Sequence, residues 1–271
     1  ATLLAIDREG FSSPPTEIVL GTRPSAATGR LLGLAVGVDR YPGMPGADLR
    51  FAAADARRVA KAVAASPIYA SVDVGMLLDG EATEASILSR LDTMIAAAGE
   101  QDTLLLSFAG HGLIGSDGRL RLALSATDRA DLDGTSLPFD RVAARIKAAK
   151  ARVVVLLDAC HSGVTGQADP ATNEDAVAQL VTEGGAGIVI LSASKGRQFS
   201  EELAGLGGGR FSVAIADALA GGRARADTDS NGAISLLELY RAVKASVAGG
   251  SEGRQIPWIA RNQIYGDFDL F

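Results

Sequence analysis

The 271 residues are enough for one large α/β domain, and an apolar content of 47% with 21% charged residues is typical of a globular chain rather than a disordered one. The formal net charge of −6 and the pI near 5.0 give no basic field that would attract phosphates, so we expect no nucleic-acid partner and instead an attraction for cationic peptides. No run approaches the roughly 18 apolar residues of a membrane span, and the amino terminus lacks a signal-peptide pattern, so we expect a cytoplasmic protein with no membrane partner.

The first 30 residues differ in composition from the rest of the chain. They contain a Ser-Ser-Pro-Pro stretch, a Thr-Arg-Pro-Ser stretch and one short strand candidate that begins at Glu17, a composition typical of a linker or peripheral segment. Because the chain begins with Ala1 rather than Met, we interpret residues 1–30 as the tail of something upstream in a longer protein. Residues 31–271 then form one predicted domain.

Strands and helices are predicted to alternate from residue 31 onwards. The predicted strands cover residues 31–38, 72–78, 103–108, 152–157 and 186–191, and the predicted helices cover residues 48–65, 83–98, 137–149, 175–183, 211–219 and 236–247. This alternation predicts crossover units, hence an α/β fold with a mainly parallel central sheet and helices on both faces. In such sheets, active sites lie outside the carboxyl ends of the strands.

Cys160 is the only cysteine of the chain, and it follows a run of branched apolar residues that predicts a buried strand. A second apolar run, at residues 103–108, leads to His111, one of only two histidines. Taken singly, a free cysteine is often an inert buried thiol, and a lone histidine is often a satisfied core residue. Their joint position at the ends of two strands favours a catalytic pair.

The pair has the chemistry of a thiol nucleophile and its base. An imidazole can remove the thiol proton to create a thiolate and can later protonate a leaving amine. The backbone amides of Gly112 and Cys160 are the candidate donors to the oxyanion of a tetrahedral intermediate. His161 is a competing base that ranks second to His111, because adjacent side chains on an extended segment point to opposite faces.

The segments Ser-Phe-Ala-Gly-His-Gly around His111 and Asp-Ala-Cys-His-Ser-Gly around Cys160 carry a resemblance to a known family. The chain resembles the caspase-like cysteine peptidases, in particular the bacterial metacaspase-like or orthocaspase group, over about residues 31–271. His111 lies 49 positions before the cysteine, which fits the caspase spacing of about 50. The resemblance implies a three-layer α/β sandwich of the caspase-hemoglobinase type. It also implies peptide-bond hydrolysis through an acyl-enzyme on Cys160, with His111 as acid and base.

The resemblance further implies the substrate class. Metacaspase-like enzymes cleave after Arg or Lys using acidic residues, and the two acidic positions match Asp55 and Asp158. A desolvated carboxylate pair suits a guanidinium fork, so we expect protein or peptide substrates with basic residues. Ser192 and Ser194, in a Ser-Ala-Ser segment within the matched region, are further substrate-binding candidates. The alternatives are a solvated helix carboxylate for Asp55 and a turn cap for Asp158.

Cleavage after basic residues also suggests self-processing. Arg197, Arg210 and Arg223 lie in polar, glycine-containing segments after the nucleophile, where a cut is sterically reasonable.

A calcium-like loop lies near the carboxyl end of the chain. Asp227, Asp229, Asn231 and Glu238 occupy ligand positions 1, 3, 5 and 12 of a twelve-residue calcium loop, with Gly232 at position 6. The alternative is an acidic turn that caps the next helix without metal. Metacaspase calcium sites generally lie after the catalytic histidine, where this chain has Asp128, Asp131 and Asp133. We expect that no cofactor is required and keep Ca²⁺ as a candidate.

These observations favour a cysteine endopeptidase specific for Arg or Lys. Two readings from other classes stay open. The first is a catalytically silent caspase-like interaction or regulatory module, which would have no chemical need for both His111 and Cys160. The second is a calcium sensor, which rests on the single loop alone.

Overall fold

The computed structural model describes residues 2–3, 16–17, 29–159, 187–193, 202–203, 205, 207–262 and 266–271. The strands within these ranges are β1 (Thr2–Leu3), β2 (Thr16–Glu17), β3 (Arg30–Gly37), β4 (Ser71–Leu78), β5 (Thr103–Ala109), β6 (Gly112–Ile114), β7 (Leu120–Leu122), β8 (Leu137–Pro138), β9 (Arg152–Asp158), β10 (Ile188–Ser192), β11 (Glu202–Leu203), β12 (Gly208–Gly209) and β13 (Trp258–Asn262). The helices are α1 (Ala52–Ala64), α2 (Glu84–Ala97), α3 (Leu132–Thr135), α4 (Phe139–Lys147), α5 (Arg210–Leu219), α6 (Arg223–Ala226) and α7 (Leu236–Gly250), with one 3₁₀ turn at Asp79–Glu81.

Six strands form the central sheet, in the spatial order β13-β10-β9-β5-β3-β4. Five of them run parallel, and β13 is the exception because it pairs antiparallel with β10. The sheet is therefore mixed but mostly parallel, as the alternating pattern predicts. The antiparallel edge strand is not among the predicted elements.

Helices cover both faces of the sheet and give the fold three layers. On one face, α2 and α4 contribute Leu91 and Val142 to a core that includes alternate sheet residues such as Val36 and Val155. On the other face, α1, α5 and α7 pack against the intervening sheet residues, including Leu105. Because the strands are covered on both faces, they are continuously apolar rather than alternating.

The cap of α2 follows its sequence signal. Thr83 begins this helix with a capping box, in which its side chain accepts from the Ser86 amide. The start of α1 differs from the predicted residue 48, because the carboxylate of Asp48 accepts from the Tyr41 amide at 2.8 Å and leaves the helix to begin at Ala52.

The predicted helix 137–149 begins two residues late for a similar local reason. Leu137 and Pro138 form the short strand β8, and β6, β7 and β8 make a small antiparallel sheet of their own. The predicted helix 175–183 lies outside the described residues. Of the first 30 residues, Thr2–Leu3 and Thr16–Glu17 pair antiparallel, and Arg30 begins the central sheet.

Candidate active site

Two adjacent strands bring His111 and Ala159, the residue before Cys160, to the same edge of the sheet. Strands β5 and β9 are parallel neighbours whose register pairs Ala109 with Asp158. The pairing continues past both strands, since the Gly110 amide donates to the Asp158 carbonyl at 3.1 Å and the Gly112 amide donates to the Ala159 carbonyl at 2.8 Å. His111 therefore lies beside Ala159, the covalent neighbour of Cys160. Cys160 itself, His161 and Ser194 lie outside the described residues.

The imidazole of His111 is fully buried and held by its surroundings. Its Nε2 lies 2.6 Å from the carbonyl oxygen of Ala47, in the loop between β3 and α1. A carbonyl oxygen only accepts hydrogen bonds, so we assign the proton of the neutral ring to Nε2. The acceptor nitrogen is then Nδ1, and this is the atom that would take a proton from a thiol.

Tyr41 fixes the backbone of the histidine. Its phenol oxygen accepts a hydrogen bond from the His111 amide at 3.1 Å, and the two rings lie 4.8 Å apart at a tilt of 49°. Burial raises the pKa of Tyr41 well above its ordinary value, so the phenol stays protonated. A Cβ at Gly110 would lie 2.9 Å from this phenol oxygen, which explains the glycine there.

The Gly112 amide is occupied in this arrangement. Its hydrogen bond to the Ala159 carbonyl has ordinary length, 2.8 Å, and belongs to the continuing strand ladder. Gly112 can bind an oxyanion only if this bond is released. The predicted role of Gly112 as an oxyanion donor therefore requires that its bond to Ala159 break, a requirement that the sequence alone does not show.

The two acidic candidates come together on the same side of the sheet. Asp55, in the first turn of α1, and Asp158, the last residue of β9, are about 5% and 4% exposed. Both face the short strand β12, because a Cβ at Gly209 would lie 3.0 Å from Oδ2 of Asp55 and 3.4 Å from Oδ2 of Asp158. The alternative of a solvated carboxylate is wrong for Asp55, since the residue is buried.

Three donors hold the Asp55 carboxylate. The Gly209 amide donates at 3.0–3.1 Å, Nη1 of Arg58 lies 2.6 Å from Oδ1, and the hydroxyl of Ser212 also donates to Oδ1. Burial raises the pKa of Asp55 to about 7, and the negative charge of Asp158 adds to this increase. The hydrogen bonds from Ser212 and Gly209 and the charge of Arg58 act in the opposite direction.

The arrangement of these residues agrees with a family relationship found by comparison. A family model for the caspase domain matches residues 30–269. The chain belongs to the caspase family. This is a family of cysteine peptidases, which are hydrolases, and the resemblance to caspase-like peptidases seen in the sequence is thereby confirmed.

Solved structures show the same fold for this caspase domain. The chain is similar to caspase-1 from Spodoptera frugiperda, with a TM-score of 0.55 and 16% sequence identity over 86% of this chain and 89% of that one. It is also similar to the protein GSU0716 from Geobacter sulfurreducens, with a TM-score of 0.63 and 20% identity over 88% of this chain and 95% of that one. No curated protein matches the sequence. Of the helices described, none is long and apolar enough to cross a membrane.

Several residues of the candidate site have no signal in the sequence. Ala47 contacts His111 through its backbone oxygen, which any residue would supply. Arg58 contacts Asp55 from one turn further along α1, whereas Gly209 and Ser212 are more than 150 positions away in the sequence. The predicted residue Ser192 is fully buried at the end of β10. The Ala193 amide next to it donates to the Leu157 carbonyl, so this strand end lies beside the Asp158 segment.

The calcium-like loop brings its predicted ligands together. Carboxylate oxygens of Asp227, Asp229 and Glu238 lie within 4.8 Å of one another, the one such group of three among the described residues. The Asn231 side chain accepts from the Ala233 amide at 2.7 Å, and Gly232 has φ +89, a conformation that favours glycine. Burial alone would raise the pKa of Glu238, but hydrogen bonds from Ser235 and Thr228 hold it below its ordinary value.

The carboxyl end of the chain pairs with this loop. The Ile234 amide donates to the Phe271 carbonyl at 2.6 Å, and Ser235 bridges antiparallel to Asp269. Partial burial raises the pKa of Asp269, although a hydrogen bond with Asn231 lowers it, and the charges of Asp229 and Glu238 add to the increase. The charge of Asp267 also adds to the increase, so two further carboxylates lie near the loop. By contrast, Asp131 caps α3 and Asp133 pairs with Arg121 at 2.9 Å.

Proposed function

We propose that this caspase domain is a cysteine endopeptidase that cleaves after Arg or Lys, with Cys160 as nucleophile and His111 as acid and base. The observation that carries the proposal is the β5–β9 register, which sets a buried, oriented imidazole beside the residue that precedes the only cysteine. The hydrogen bond from His111 Nε2 to the Ala47 carbonyl supports the proposal, because it makes Nδ1 the ring nitrogen that can accept a proton.

The reaction follows from this assignment. Nδ1 of His111 takes the thiol proton, and the thiolate of Cys160 attacks the carbonyl carbon of the scissile peptide bond. The oxyanion that forms would bind the amides of Cys160 and Gly112, once the latter has left Ala159. Collapse breaks the C–N bond while the imidazolium protonates the leaving amine. Water, deprotonated by the same imidazole, then hydrolyses the thioester and regenerates the thiol.

The acidic pair supports a preference for basic residues. Asp55 and Asp158 are buried next to each other, at the sheet edge where His111 and Ala159 lie. A buried carboxylate binds a guanidinium more strongly than a solvated one does. Ser192 and Ser194 are the proposed further contacts to substrate. A Glu or Asp side chain before the scissile bond would be repelled by this pair.

A positional-scanning peptide library tests this proposal. We expect cleavage only of peptides with Arg or Lys before the scissile bond, and none by a Cys160→Ala variant. The competing function, a catalytically silent module, predicts that no peptide is cleaved by the wild-type chain at any position. Cleavage after acidic residues would overturn the assignment of the acidic pair.

Self-processing is a further part of the proposal. Arg210 opens helix α5, and Arg223 opens α6 and donates to the carbonyls of Gly232 and Phe271, so neither of these residues is in the extended conformation that a peptidase requires. Arg197 lies outside the described residues and is the candidate that we retain. We expect purified wild-type protein to give two fragments that a Cys160→Ala variant does not give, and an intact, active wild-type chain would contradict this.

Calcium is the proposed ligand of the loop at Asp227, Asp229, Asn231 and Glu238. The converging carboxylates support it, because burial and mutual repulsion raise the pKa of Asp229 and a divalent cation would relieve that repulsion. The proposed role is to stabilise the carboxyl end of the domain rather than to take part in hydrolysis. Calorimetric titration with Ca²⁺ should show binding that a Glu238→Gln variant loses and an Asp128→Asn variant keeps. A titration of the wild-type chain that shows no heat of binding up to about 1 mM Ca²⁺ would overturn the calcium proposal.

A further inference from the structure

Arg58 brings a guanidinium to the acidic pair from within the chain. Its Nη1 lies 2.6 Å from Oδ1 of Asp55 and 3.1 Å from the hydroxyl of Ser212, and its Nη2 donates to the carbonyl of Gly207 at 2.8 Å. Arg58 stands three residues after Asp55 on α1 and therefore on the same face of that helix. One internal side chain thus supplies the charge that a substrate Arg or Lys would bring.

The Asp55 carboxylate has little room for a second guanidinium while Arg58 is bound. Oδ1 accepts from Arg58, Ser212 and the Gly209 amide, and Oδ2 accepts from the same amide. An ionised carboxylate has about four acceptor sites, so these contacts nearly saturate it. A substrate side chain must therefore replace one of the present donors.

Arg58 is the donor that leaves most easily. Ser212 is 2% exposed and Gly209 is buried within β12, so displacing either donor would leave a buried polar group without a hydrogen-bond partner. The Arg58 side chain is 25% exposed and can return its guanidinium to water. Exchange of one guanidinium for another at Asp55 is therefore the least costly way to bind a basic residue.

We propose that Arg58 is a specificity-determining residue that competes with the basic side chain of the substrate for Asp55, so that substrate binding requires displacement of Arg58 from the carboxylate. This inference rests on the proposed peptidase function and describes the control of that same site. In the resting site, the guanidinium of Arg58 balances the charge of Asp55. A substrate side chain binds only if its interaction with Asp55 is strong enough to displace Arg58, which disfavours weakly basic or poorly positioned side chains.

Steady-state kinetics of an Arg58→Gln variant test the competition. Gln keeps a hydrogen-bond donor but removes the charge, and we expect KM for an Arg-containing peptide to fall at least about threefold with kcat unchanged, the size of a modest ion pair. A peptide with citrulline, a neutral isostere of arginine, should show no such fall. Arg57→Gln is the matched control, since Arg57 is the adjacent, exposed arginine of the same helix and its loss changes net charge equally. An unchanged or higher KM in Arg58→Gln, with the melting temperature preserved, would overturn the proposal.

Equilibrium binding separates this proposal from the peptidase proposal. In a Cys160→Ala background, calorimetry with a peptidyl agmatine should give a lower Kd when Arg58 is also replaced by Gln, and the corresponding peptidyl butylamide should give no difference. Tighter agmatine binding without any peptide cleavage by the wild-type chain would support the competition and contradict the peptidase function. Cleavage after Arg by the wild-type chain, together with equal agmatine affinities of Cys160→Ala with and without Arg58→Gln, would support the peptidase function and contradict the competition.

The dependence on pH provides a readout that a purely structural role of Arg58 would not move. Among the described residues, the charged groups that face Asp55 are Arg58 from the same helix and Asp158 from β9, while β12 and α5 present the Gly209 amide and the Ser212 hydroxyl. Removal of the guanidinium should raise the pKa of Asp55 further. At pH 8 Asp55 is mostly ionised and paired with Arg58 in the wild-type protein, whereas at pH 6 it is mostly protonated and the pair is lost. The gain in affinity for agmatine on replacing Arg58 should therefore be larger at pH 8 than at pH 6. A gain that is equal at both values would contradict competition at Asp55.

Discussion

Burial of Asp55 predicts an unusual dependence of stability on pH. In the unfolded chain this carboxyl has its ordinary pKa of 3.8, whereas in the folded protein burial raises the pKa to about 7. Between these values the folded state binds more protons at Asp55 than the unfolded state does. The contribution of Asp55 to the free energy of unfolding therefore increases as the pH falls, which is opposite to the behaviour of a salt-bridged carboxylate.

The magnitude follows from linkage. Between pH 8 and pH 5, the pKa of about 7 predicts that the wild-type protein gains roughly 2.5 kcal/mol of unfolding free energy relative to an Asp55→Asn variant, which lacks the titrating group. Urea unfolding of both proteins at pH 5, 6, 7 and 8 measures this difference directly. Asp102→Asn is the flat control. The hydrogen bond from Arg30 lowers the pKa of Asp102 from 3.8 to about 2, so its stabilisation is lost only as the pH falls below 3.8, and the difference from wild type should stay constant between pH 5 and pH 8.

The reasoning is refuted if the unfolding free energy of wild type minus that of Asp55→Asn stays constant from pH 8 to pH 5, or decreases on acidification. It would mean that Asp55 stays ionised at pH 5. The hydrogen bonds from Ser212 and Gly209 and the charge of Arg58 would then outweigh the burial of the carboxylate and the repulsion from Asp158.

Three further predictions concern the site. Tyr41→Phe leaves the buried His111 amide without its acceptor, so we expect ~1–2 kcal/mol less unfolding free energy and a lower kcat with unchanged KM; equal stability in urea would contradict the role of the phenol. Gly209→Ala places a Cβ 3.0 Å from Asp55 Oδ2 and should raise KM for Arg peptides, whereas Gly205→Ala, with open space around its Cβ, should not. The kcat/KM ratio of Arg to citrulline peptides should fall about tenfold from pH 8 to pH 6 as Asp55 takes up a proton, and a constant ratio would exclude Asp55 from the pocket.

The strands that position the site were predictable because their residues carry strong local information. Branched apolar runs covered on both faces identify β5 and β9, and their parallel register then places the chain around His111 beside Ala159. The start of the predicted helix 83–98 is equally local, and the structure confirms it, with Thr83 as the cap. Boundaries failed where a side chain made a competing contact, as when Asp48 bound the Tyr41 amide instead of starting a helix.

The electrostatic partners of the site were not predictable for a different reason. The Ala47 carbonyl is a backbone atom that any residue would supply, and Arg58 is one of many arginines until its distance to Asp55 is known. Ser212 and Gly209 come from a segment that is distant in sequence. Such contacts depend on how crossover elements pack, for which periodicity holds no information. The antiparallel bridge between Ser235 and Asp269 depends on packing in the same way.

Covalent labelling tests the central claim most directly. The chain should be incubated with a peptide that carries arginine next to an electrophilic ketone, and intact mass should be measured for wild type, Cys160→Ala and His111→Ala. The account predicts one equivalent of label on Cys160 in the wild-type protein, none in Cys160→Ala, and strongly slowed labelling in His111→Ala, because Nδ1 of His111 is needed to form the thiolate. Equal labelling rates for wild type and His111→Ala, or no label on Cys160, would contradict it.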